Sequence, residues 1–356
     1  MTEFAINGRF LTQAMTGVQR FATEITLALD ALAASGEITP APRLLMPRGA
    51  AVPSLRTLRV ETVGGHTGQI WEQWDLPSAL GDGFLLNLGN TAPLRLRGRQ
   101  AVVIHDAGVF DTPDSYSSAF RAWYRLLHRA LPRRGARLLT VSEFSRARLA
   151  LRLGVAAARI GVVPEGGEHI LRAPADDSVL ARHGLTPHRY ALVVGTGAAH
   201  KGLDALRGAA ALLAARGMIM VVVGGADPAV FRSRFDGTGD AVRPLGRQSD
   251  AALRALYENA ACLLFPSRYE GFGLPPLEAM WCGCPVIAAR AGAVPEVCAE
   301  AALWCDADAP DTLAAQIARL LDEVGLRDTL VARGRDRAVG YSWDRAARGL
   351  IGLAVS

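Results

Sequence analysis

Short apolar runs alternate with amphipathic stretches along the first half of the chain. The runs have the length and β-branched content of buried strands, and helical periodicity follows several of them. The pattern predicts strands at 84–88, 101–104, 138–141 and 161–163 and helices at 18–34, 118–131 and 142–153. Strands and helices that alternate in this way are typical of parallel α/β sheets.

The same alternation starts again in the second half. It predicts strands at 190–194, 218–223, 262–265 and 285–288 and helices at 203–215, 250–260 and 276–281. Between the halves, residues 164–187 carry prolines at both ends and are predicted to form the linker.

The length of the chain points to the same division. Single cores stop growing at about 250–300 residues, and this chain has 356. We therefore predict two doubly wound, Rossmann-like α/β domains facing a central cleft. They cover residues 1–168 and 169–340, and a last helix at 341–356 packs on the first domain. Open parallel sheets bind ligands at the carboxyl ends of their strands, so residues just after strands are the candidates for function.

Composition excludes several classes of protein. Half of the residues are hydrophobic and 21% are charged, which is globular, and a net charge of +5 gives no reason to expect a nucleic-acid partner. No apolar run has the length of a transmembrane helix, and the start shows no secretory signal. The five cysteines lack the spacing of a zinc site or a redox pair, so we expect reduced thiols in a cytoplasmic protein.

The basic residues are almost all of one kind. Of 39 Lys and Arg residues, 38 are arginine, and Lys201 is the only lysine. Drift in a GC-rich genome turns lysine into arginine wherever the two are interchangeable, which makes this position notable. Lys201 follows the predicted strand at 190–194, which places it at the carboxyl end of the sheet, where ligands bind.

A ligand-binding loop is indicated in the second half. Residues 265–287 read FPSRYEGFGLPPLEAMWCGCPVI, which predicts a strand, a glycine-containing loop and a helix with prolines in its first turn. The N–H groups of Phe272, Gly273 and Leu274 are expected to face an anion at the positive end of this helix.

Two glutamates flank the loop. Glu270 stands before it, and Glu278 lies near the start of the helix, so both carboxylates can reach one ligand from two sides. Carboxylates accept hydrogen bonds from hydroxyl groups, which makes a sugar the expected ligand.

The segment 270–287 resembles the E-x7-E signature of family-4 retaining glycosyltransferases of the GT-B fold, written EGFGLPxLEAMxxGxPVI. Further segments similar to the family, in the family's order, lie at 16–21, 105–106, 141–145, 194–202, 291–296 and 340–343. The resemblance implies a GT-B fold and transfer of a hexose from a nucleotide sugar to a hydroxyl group. It also implies that anomeric configuration is retained and that neither a metal nor another cofactor is needed.

The resemblance also implies roles, carried over by motif position. Glu270 contacts the transferred sugar, Glu278 the nucleotide ribose, and His105 the sugar near its reacting carbon. The residues expected to bind the donor are Gly17, Lys201, Glu270, Gly271, Phe272, Gly273, Leu274 and Glu278, and those expected to be catalytic are His105, Glu270 and Lys201. The expected acceptor contacts are Asp106, Gln19 and Arg20.

The chain departs from the family at one phosphate-binding segment. The pattern GTxxxRKN stands here as Gly195 to Gly202, with His200 in place of arginine and Gly202 in place of asparagine. Some relatives carry an arginine where Thr196 stands. The site therefore has fewer cations, and Arg268 is a candidate to compensate.

Several residues have a second interpretation. His105 could be a structural hydrogen-bond donor, Asp106 could orient the acceptor or cap the next turn, and Gly17 could be an ordinary helix-entry glycine. Asp306-Ala-Asp308 matches a metal-binding DxD but is interpreted as a loop. The pair Gly224-Gly225 lacks the continuation of a nicotinamide-binding fingerprint.

The helix predicted from residue 118 is amphipathic and basic. Phe120, Trp123, Tyr124, Leu127 and Leu131 form one face, and Arg121, Arg125 and Arg129 line another. The apolar face either packs on its own sheet or docks on anionic lipid. Because acceptors of such enzymes are often lipid-linked, we expect peripheral contact with the inner face of the plasma membrane through residues 118–152.

The leading hypothesis is transfer of a hexose, preferably mannose, from a GDP- or UDP-sugar to a glycan or lipid-linked oligosaccharide in bacterial polysaccharide biosynthesis. Sucrose or trehalose synthesis is an alternative on the same fold, for which the chain is short. A non-catalytic nucleotide- or glycan-binding protein is an alternative from another class, and a Rossmann oxidoreductase is disfavoured by the missing fingerprint.

Overall fold

The computed structural model describes residues 3–195, 198–202, 205–224 and 241–355. The chain divides into two compact units. Unit 1 comprises Met1–Gly166 together with Trp343–Ser356, and unit 2 comprises Gly167–Ser342. Thr196, Gly225 and the first two residues of the helix predicted at 203–215 lie outside the described residues.

The described residues of unit 1 form a parallel sheet of seven short strands in the order β3-β2-β1-β4-β5-β6-β7. The strands are β1 (Phe4–Asn7), β2 (Arg43–Met46), β3 (Arg59–Thr62), β4 (Phe84–Asn87), β5 (Gln100–Val103), β6 (Arg137–Thr140) and β7 (Ile160–Val162). The strand order reverses between β1 and β4, which marks the expected position of a ligand at their carboxyl ends.

The helices of unit 1 follow the strands and cover the sheet. They are α1 (Gly17–Ala34), α2 (Gly68–Ile70), α3 (Leu76–Leu80), α4 (Gly108–Asp111), α5 (Ser118–Arg133) and α6 (Glu143–Leu153), with a π-helical turn at Trp71–Asp75. The hydroxyl oxygen of Ser142 accepts a hydrogen bond from the Ser145 N–H and caps α6, which ends at Gly154 in the left-handed conformation. The last helix of the chain, Trp343–Ala354, packs on α1 and β6.

The described part of unit 2 forms a parallel sheet of six strands in the order β10-β9-β8-β11-β12-β13. These are β8 (Tyr190–Val194), β9 (Ile219–Val223), β10 (Val242–Gly246), β11 (Cys262–Phe265), β12 (Val286–Ala289) and β13 (Ala302–Cys305). The helices are α7 (Ser178–Arg182), α8 (Leu206–Ala215), α9 (Asp250–Glu258), α10 (Leu274–Trp281), α11 (Val294–Cys298), α12 (Pro310–Asp322) and α13 (Leu326–Ala338). The order reverses between β8 and β11, so the carboxyl ends of these two strands meet at the switch point.

The predicted strands are present, each with its ends within one residue of the observed ones. The predicted linker is wrong over most of its length, because residues from Gly167 onward belong to unit 2. Ile170 and Val179 are buried there, and the Asp176 N–H donates to the Ala251 carbonyl. The prolines in this stretch therefore lie within a folded segment of unit 2 and do not mark a linker.

The basic amphipathic helix, α5, buries most of its apolar face in its own unit. Leu127 and Leu131 belong to the core, and Trp123 and Tyr124 pack against it, whereas Phe120 is 39% exposed. Packing on the sheet is thus the correct interpretation for most of this face. Of the helices in the described part of the chain, none is both long enough and apolar enough to cross a bilayer.

Candidate active site

Lys201 and Glu270 meet at the switch point of unit 2. Lys201 ends a 3₁₀ turn, Ala199–Lys201, that follows β8, and Glu270 lies in the loop after β11. The Lys201 Nζ donates to Glu270 Oε1 at 2.7 Å and lies 5.7 Å from the centre of the Phe265 ring. The two side chains are 19% and 12% exposed, so this ion pair is reachable by a ligand. The structure thus brings together two residues that the sequence separates by 69 positions.

The backbone ties the two loops together. The Arg268 N–H donates to the His200 carbonyl at 2.8 Å, which joins the Glu270 loop to the turn of Lys201. Gly202 has a φ of +66°, and a Cβ there would lie 2.1 Å from the Pro266 carbonyl oxygen. The replacement of the family's asparagine by glycine at 202 therefore has a local reason, since any side chain would push the two loops apart.

The segment 291–296 supports Glu270 from the other side. Gly292 has a φ of +60°, and a Cβ there would lie 2.6 Å from both the nitrogen and the carbonyl oxygen of Glu270. The Ala293 N–H donates to the Glu270 carbonyl at 3.0 Å. The main chain of Glu270 is thus fixed by a neighbouring loop, which leaves only its side chain to respond to a ligand.

The loop after Glu270 leads into α10 as the sequence predicts. Gly273 caps the helix with a φ of +116°, and Pro275 and Pro276, in the first turn, have no N–H groups. The N–H groups of Phe272, Gly273 and Leu274 make no hydrogen bond to another residue in the described ranges. They are available to an anion at the positive end of α10, in line with the predicted role of the stretch from Gly271 to Leu274.

Glu278 is held by two residues that the sequence did not indicate. Its Oε1 lies 3.1 Å from the Nε2 of His169, and its Oε2 accepts a hydrogen bond from the Tyr257 hydroxyl at 2.9 Å. Burial and the adjacent Glu278 carboxylate raise the pKa of Tyr257 well above its usual value, so the hydroxyl keeps its proton and donates. All three side chains are buried, which fixes the direction of the Glu278 carboxylate.

Arg268, the candidate to compensate for the missing cations, has partners of its own, and its role toward a ligand stays a prediction. Its guanidinium donates to Asp308 Oδ1 at 2.8 Å and to the Ala307 carbonyl at 3.0 Å, so its charge is engaged in a turn. That turn contains the Asp306-Ala-Asp308 sequence, in which the Asp308 N–H donates to Asp306 Oδ1. No group of three or more His, Cys, Asp or Glu side chains suited to a metal ion occurs among the residues that the structure describes.

His105 is the candidate residue of unit 1, directly after β5. It is buried, its Nε2 lies 3.0 Å from the Leu88 carbonyl oxygen, and its ring packs edge-on against Phe21. The carbonyl can only accept, so Nε2 carries a proton. The Nδ1 lies 3.4 Å from Oε1 of Glu165, a buried carboxylate that the sequence did not indicate. Both ring nitrogens thus have partners inside unit 1, and a sugar contact requires one of them to be exchanged.

The remaining candidates of unit 1 lie near the start of α1 and after β5. Asp106 Oδ1 accepts from the Gly108 N–H at 2.6 Å and so caps the turn into α4. Gln19 is hydrogen-bonded to Gln13 and Thr16, and Arg20 pairs with Glu24.

Gly17 is the first residue of α1, and a Cβ there would meet no atom within 4 Å. Neither crowding nor a left-handed backbone explains this glycine. The approach of a diphosphate to this helix terminus stays a prediction.

Known proteins resemble this chain in sequence. The family model described as "Glycosyl transferases group 1" matches residues 181–337, which lie in unit 2. O-antigen chain mannosyltransferase B of Escherichia coli is 33% identical over 264 residues, 71% of this chain and 68% of that protein. An MMP alpha-(1->4)-mannosyltransferase of Mycolicibacterium hassiacum is 33% identical over 240 residues, 64% of this chain but only 56% of that protein.

Solved structures share the fold over nearly the whole chain. WaaG, a glycosyltransferase involved in lipopolysaccharide biosynthesis, matches with a TM-score of 0.75 at 17% identity, covering 98% of this chain and 99% of that one. HepE of Anabaena, in complex with UDP and glucose, matches with a TM-score of 0.72 at 16% identity and covers 99% of both chains. The fold is therefore GT-B, the fold of nucleotide-sugar-dependent glycosyltransferases. The chain belongs to the group 1 glycosyltransferases.

Proposed function

We propose that this enzyme moves mannose from a GDP- or UDP-linked donor to a hydroxyl group of a glycan or lipid-linked oligosaccharide in bacterial polysaccharide biosynthesis. The proposal includes retention of anomeric configuration and independence of a metal or other cofactor. The main support for the proposal is the contact between Lys201 and Glu270 at the switch point of the unit 2 sheet, in a chain that belongs to the family. A cation and a sugar-binding carboxylate stand there side by side, as a diphosphate-linked sugar requires.

The chemistry assigns a task to each group. The ammonium of Lys201 has three donors, of which one serves Glu270, so the others can bind the diphosphate as negative charge develops on it. The amides of Phe272, Gly273 and Leu274 bind the β-phosphate and the sugar at the helix terminus. Glu270 and His105 position the sugar rather than attack it.

The sugar is inferred from relatives. The two curated relatives described above transfer mannose, and they differ in acceptor, one being an O-antigen enzyme. HepE was solved with UDP and glucose, which supports a nucleoside diphosphate as the leaving group. Mannose is therefore the sugar that agrees with both curated enzymes.

A panel of nucleotide sugars tests the donor. GDP-mannose, UDP-mannose, UDP-glucose and GDP-glucose are each incubated with the enzyme, and release of GDP or UDP is measured with and without oligosaccharide acceptors. We expect a mannose donor to be consumed at least about tenfold faster than the matching glucose donor, a discrimination within the range of small-substituent effects. Equal or faster use of glucose contradicts mannose, and tight nucleotide binding without turnover on any acceptor favours the non-catalytic alternative.

We also propose that α5 brings the enzyme to the cytoplasmic face of the plasma membrane. A groove of about 720 Å³ on unit 1 is lined by apolar residues and by five arginines, with no acidic side chain among its lining residues. The arginines are Arg97, Arg125, Arg129, Arg133 and Arg134. An anionic lipid surface is the chemistry that such a groove favours, and Leu126, one of its lining residues, is an exposed apolar side chain.

Vesicle binding tests this surface. Replacement of Arg97, Arg129 and Arg133 by glutamine should lower partitioning to phosphatidylglycerol vesicles at low ionic strength by roughly 100-fold, at about 1 kcal/mol per arginine. The matched control replaces three exposed arginines elsewhere in unit 1, Arg48, Arg56 and Arg159, and should keep most of the binding. Full retention of the wild-type protein in the vesicle-free fraction would refute membrane contact.

A further inference from the structure

The carboxylate of Glu278 is oriented by two donors from different elements. His169 comes from the 3₁₀ turn Glu168–Leu171 at the beginning of unit 2, and Tyr257 comes from the end of α9. Each contacts a different oxygen of the carboxylate, at 3.1 Å and 2.9 Å. With exposures of 2% for His169, 0% for Tyr257 and 6% for Glu278, water competes little for these bonds.

The packing around the turn Glu168–Leu171 allows the contact between His169 and Glu278. A Cβ at Gly167 would lie 2.7 Å from Cγ of Leu277 and 2.7 Å from Cδ1 of Trp281, both on α10. Only glycine therefore lets the chain pass so close to the helix that carries Glu278. This close passage places His169 against the carboxylate two residues later.

The hydrogen-bond capacity of Glu278 is only half used. An ionised carboxylate has about four lone-pair sites, two on each oxygen. His169 and Tyr257 each occupy one site on a different oxygen, so one site on each oxygen remains for a ligand. Two acceptor sites on one rigid group suit two adjacent hydroxyl groups, and a ribose presents such a pair.

We propose that His169 and Tyr257 are positioning residues that aim Glu278 at the ribose diol of the donor nucleotide and thereby set the preference for ribonucleotides over deoxyribonucleotides. The inference rests on the proposed function, in which Glu278 contacts the ribose. What it adds is that the two donors influence nucleotide selectivity through Glu278, in addition to forming hydrogen bonds with a buried carboxylate.

The test compares nucleoside diphosphates that differ in one hydroxyl. Affinities for GDP and 2′-deoxy-GDP, and for UDP and 2′-deoxy-UDP, are measured by titration calorimetry on the full chain. For whichever base binds, the wild type should prefer the ribonucleotide. Tyr257→Phe removes only the hydroxyl, and it should reduce that preference about tenfold, as expected for a hydrogen bond to a charged group. The loss should be larger for the ribonucleotide than for the deoxy form, which has only the 3′-hydroxyl left to contact Glu278.

Further variants distinguish a role in orienting Glu278 from a role in the stability of the fold alone. His169→Gln keeps a nitrogen donor and should retain more of the ribose preference than His169→Leu, which has none. Tyr190→Phe is the matched control, because the buried Tyr190 hydroxyl donates to the Leu256 carbonyl at 2.7 Å instead of to Glu278. Its ribose preference should equal that of the wild type, even if its melting temperature falls.

The possible results are distinct. A wild type that prefers the ribonucleotide, with Tyr257→Phe and His169→Leu showing the same preference, overturns the inference and leaves the proposed function standing. A wild type that binds ribo and deoxy forms equally overturns the ribose contact of Glu278 and the inference with it. Sugar transfer in the donor panel is a separate readout, so failure of the proposed function is recognised independently.

Discussion

Replacement of Lys201 by alanine should lower kcat about 100-fold, the size of effect seen when one preorganised donor to a developing negative charge is removed. The ammonium lies 2.7 Å from Glu270 at the switch point, and in our proposal its remaining donors bind the diphosphate as the nucleotide departs. Arg268, the nearest candidate to replace it, is engaged by Asp308. Steady-state kinetics of sugar transfer measure the effect.

The control for this variant is a cation of the same unit that lies outside the site. Arg319 is half exposed and pairs with Glu323 along one helix, so Arg319→Ala should leave kcat within about twofold of the wild type, as surface ion pairs contribute little. A Lys201→Ala enzyme with near-wild-type turnover would remove Lys201 from the active site. Lys201→Arg should fall between the two, because guanidinium keeps the charge but not the compact geometry.

The second large effect is expected at Glu270. Glu270→Gln preserves the shape of the side chain and removes its charge, so both the contact to the transferred sugar and the ion pair with Lys201 weaken. A hydrogen bond to a charged group contributes about 1.5–3 kcal/mol, which corresponds to a loss of roughly 10- to 100-fold in kcat/KM. Stability should change little, because the fold of this loop depends on backbone contacts to Gly292 and Ala293.

The two variants should not be independent. Groups that act as one unit give non-additive losses, so the double variant Lys201→Ala, Glu270→Gln should lose less activity than the product of the two single losses. The ion pair at 2.7 Å is the physical basis for this expectation. Strictly multiplicative losses would show that the two side chains serve separate steps.

The structure changes how Glu278 should be tested. The sequence alone suggests Glu278→Ala as a probe of ribose binding. In the structure, alanine would leave the buried Tyr257 hydroxyl and His169 without their acceptor, at a cost of about 1–3 kcal/mol for each unsatisfied group. A lower nucleotide affinity of that variant would therefore have two causes, the lost ribose contact and the lower stability of the fold. Variants of His169 and Tyr257 are more informative for this reason.

Most of the strands that the sequence predicts are short continuous apolar runs. Runs such as 190–194 and 262–265 form strands of the second sheet that are buried along nearly their whole length. The strands that it misses include β3 and β10, which lie at sheet edges. β3 is mostly exposed, and β10 carries Pro244, which central strands exclude. Their pairing depends on neighbours and leaves no local pattern.

The residues of the site also fall into those that the sequence indicates and those that it does not. Glu270, Glu278 and the loop between them are one local segment, so spacing and motif indicate them together. His169 is 109 positions from Glu278, and Glu165 is 60 positions from His105, with no spacing rule that links either pair. Such partners are selected by tertiary packing. A glycine-rich stretch before His169 was the available signal, since Gly167 is where the chain passes close to α10.

Binding of the donor diphosphate by Lys201 can be measured directly because of the composition of this chain. Lys201 is the only lysine, so reductive methylation with ¹³C-formaldehyde gives one side-chain signal besides the amino terminus, and the methylated amine keeps its charge. Titration with GDP and UDP, and with the nucleosides guanosine and uridine, is followed by NMR. We predict a saturable shift of the Lys201 signal with the diphosphate that binds and none with its nucleoside. Saturation binding of a nucleoside diphosphate with an unmoved Lys201 signal would contradict the account.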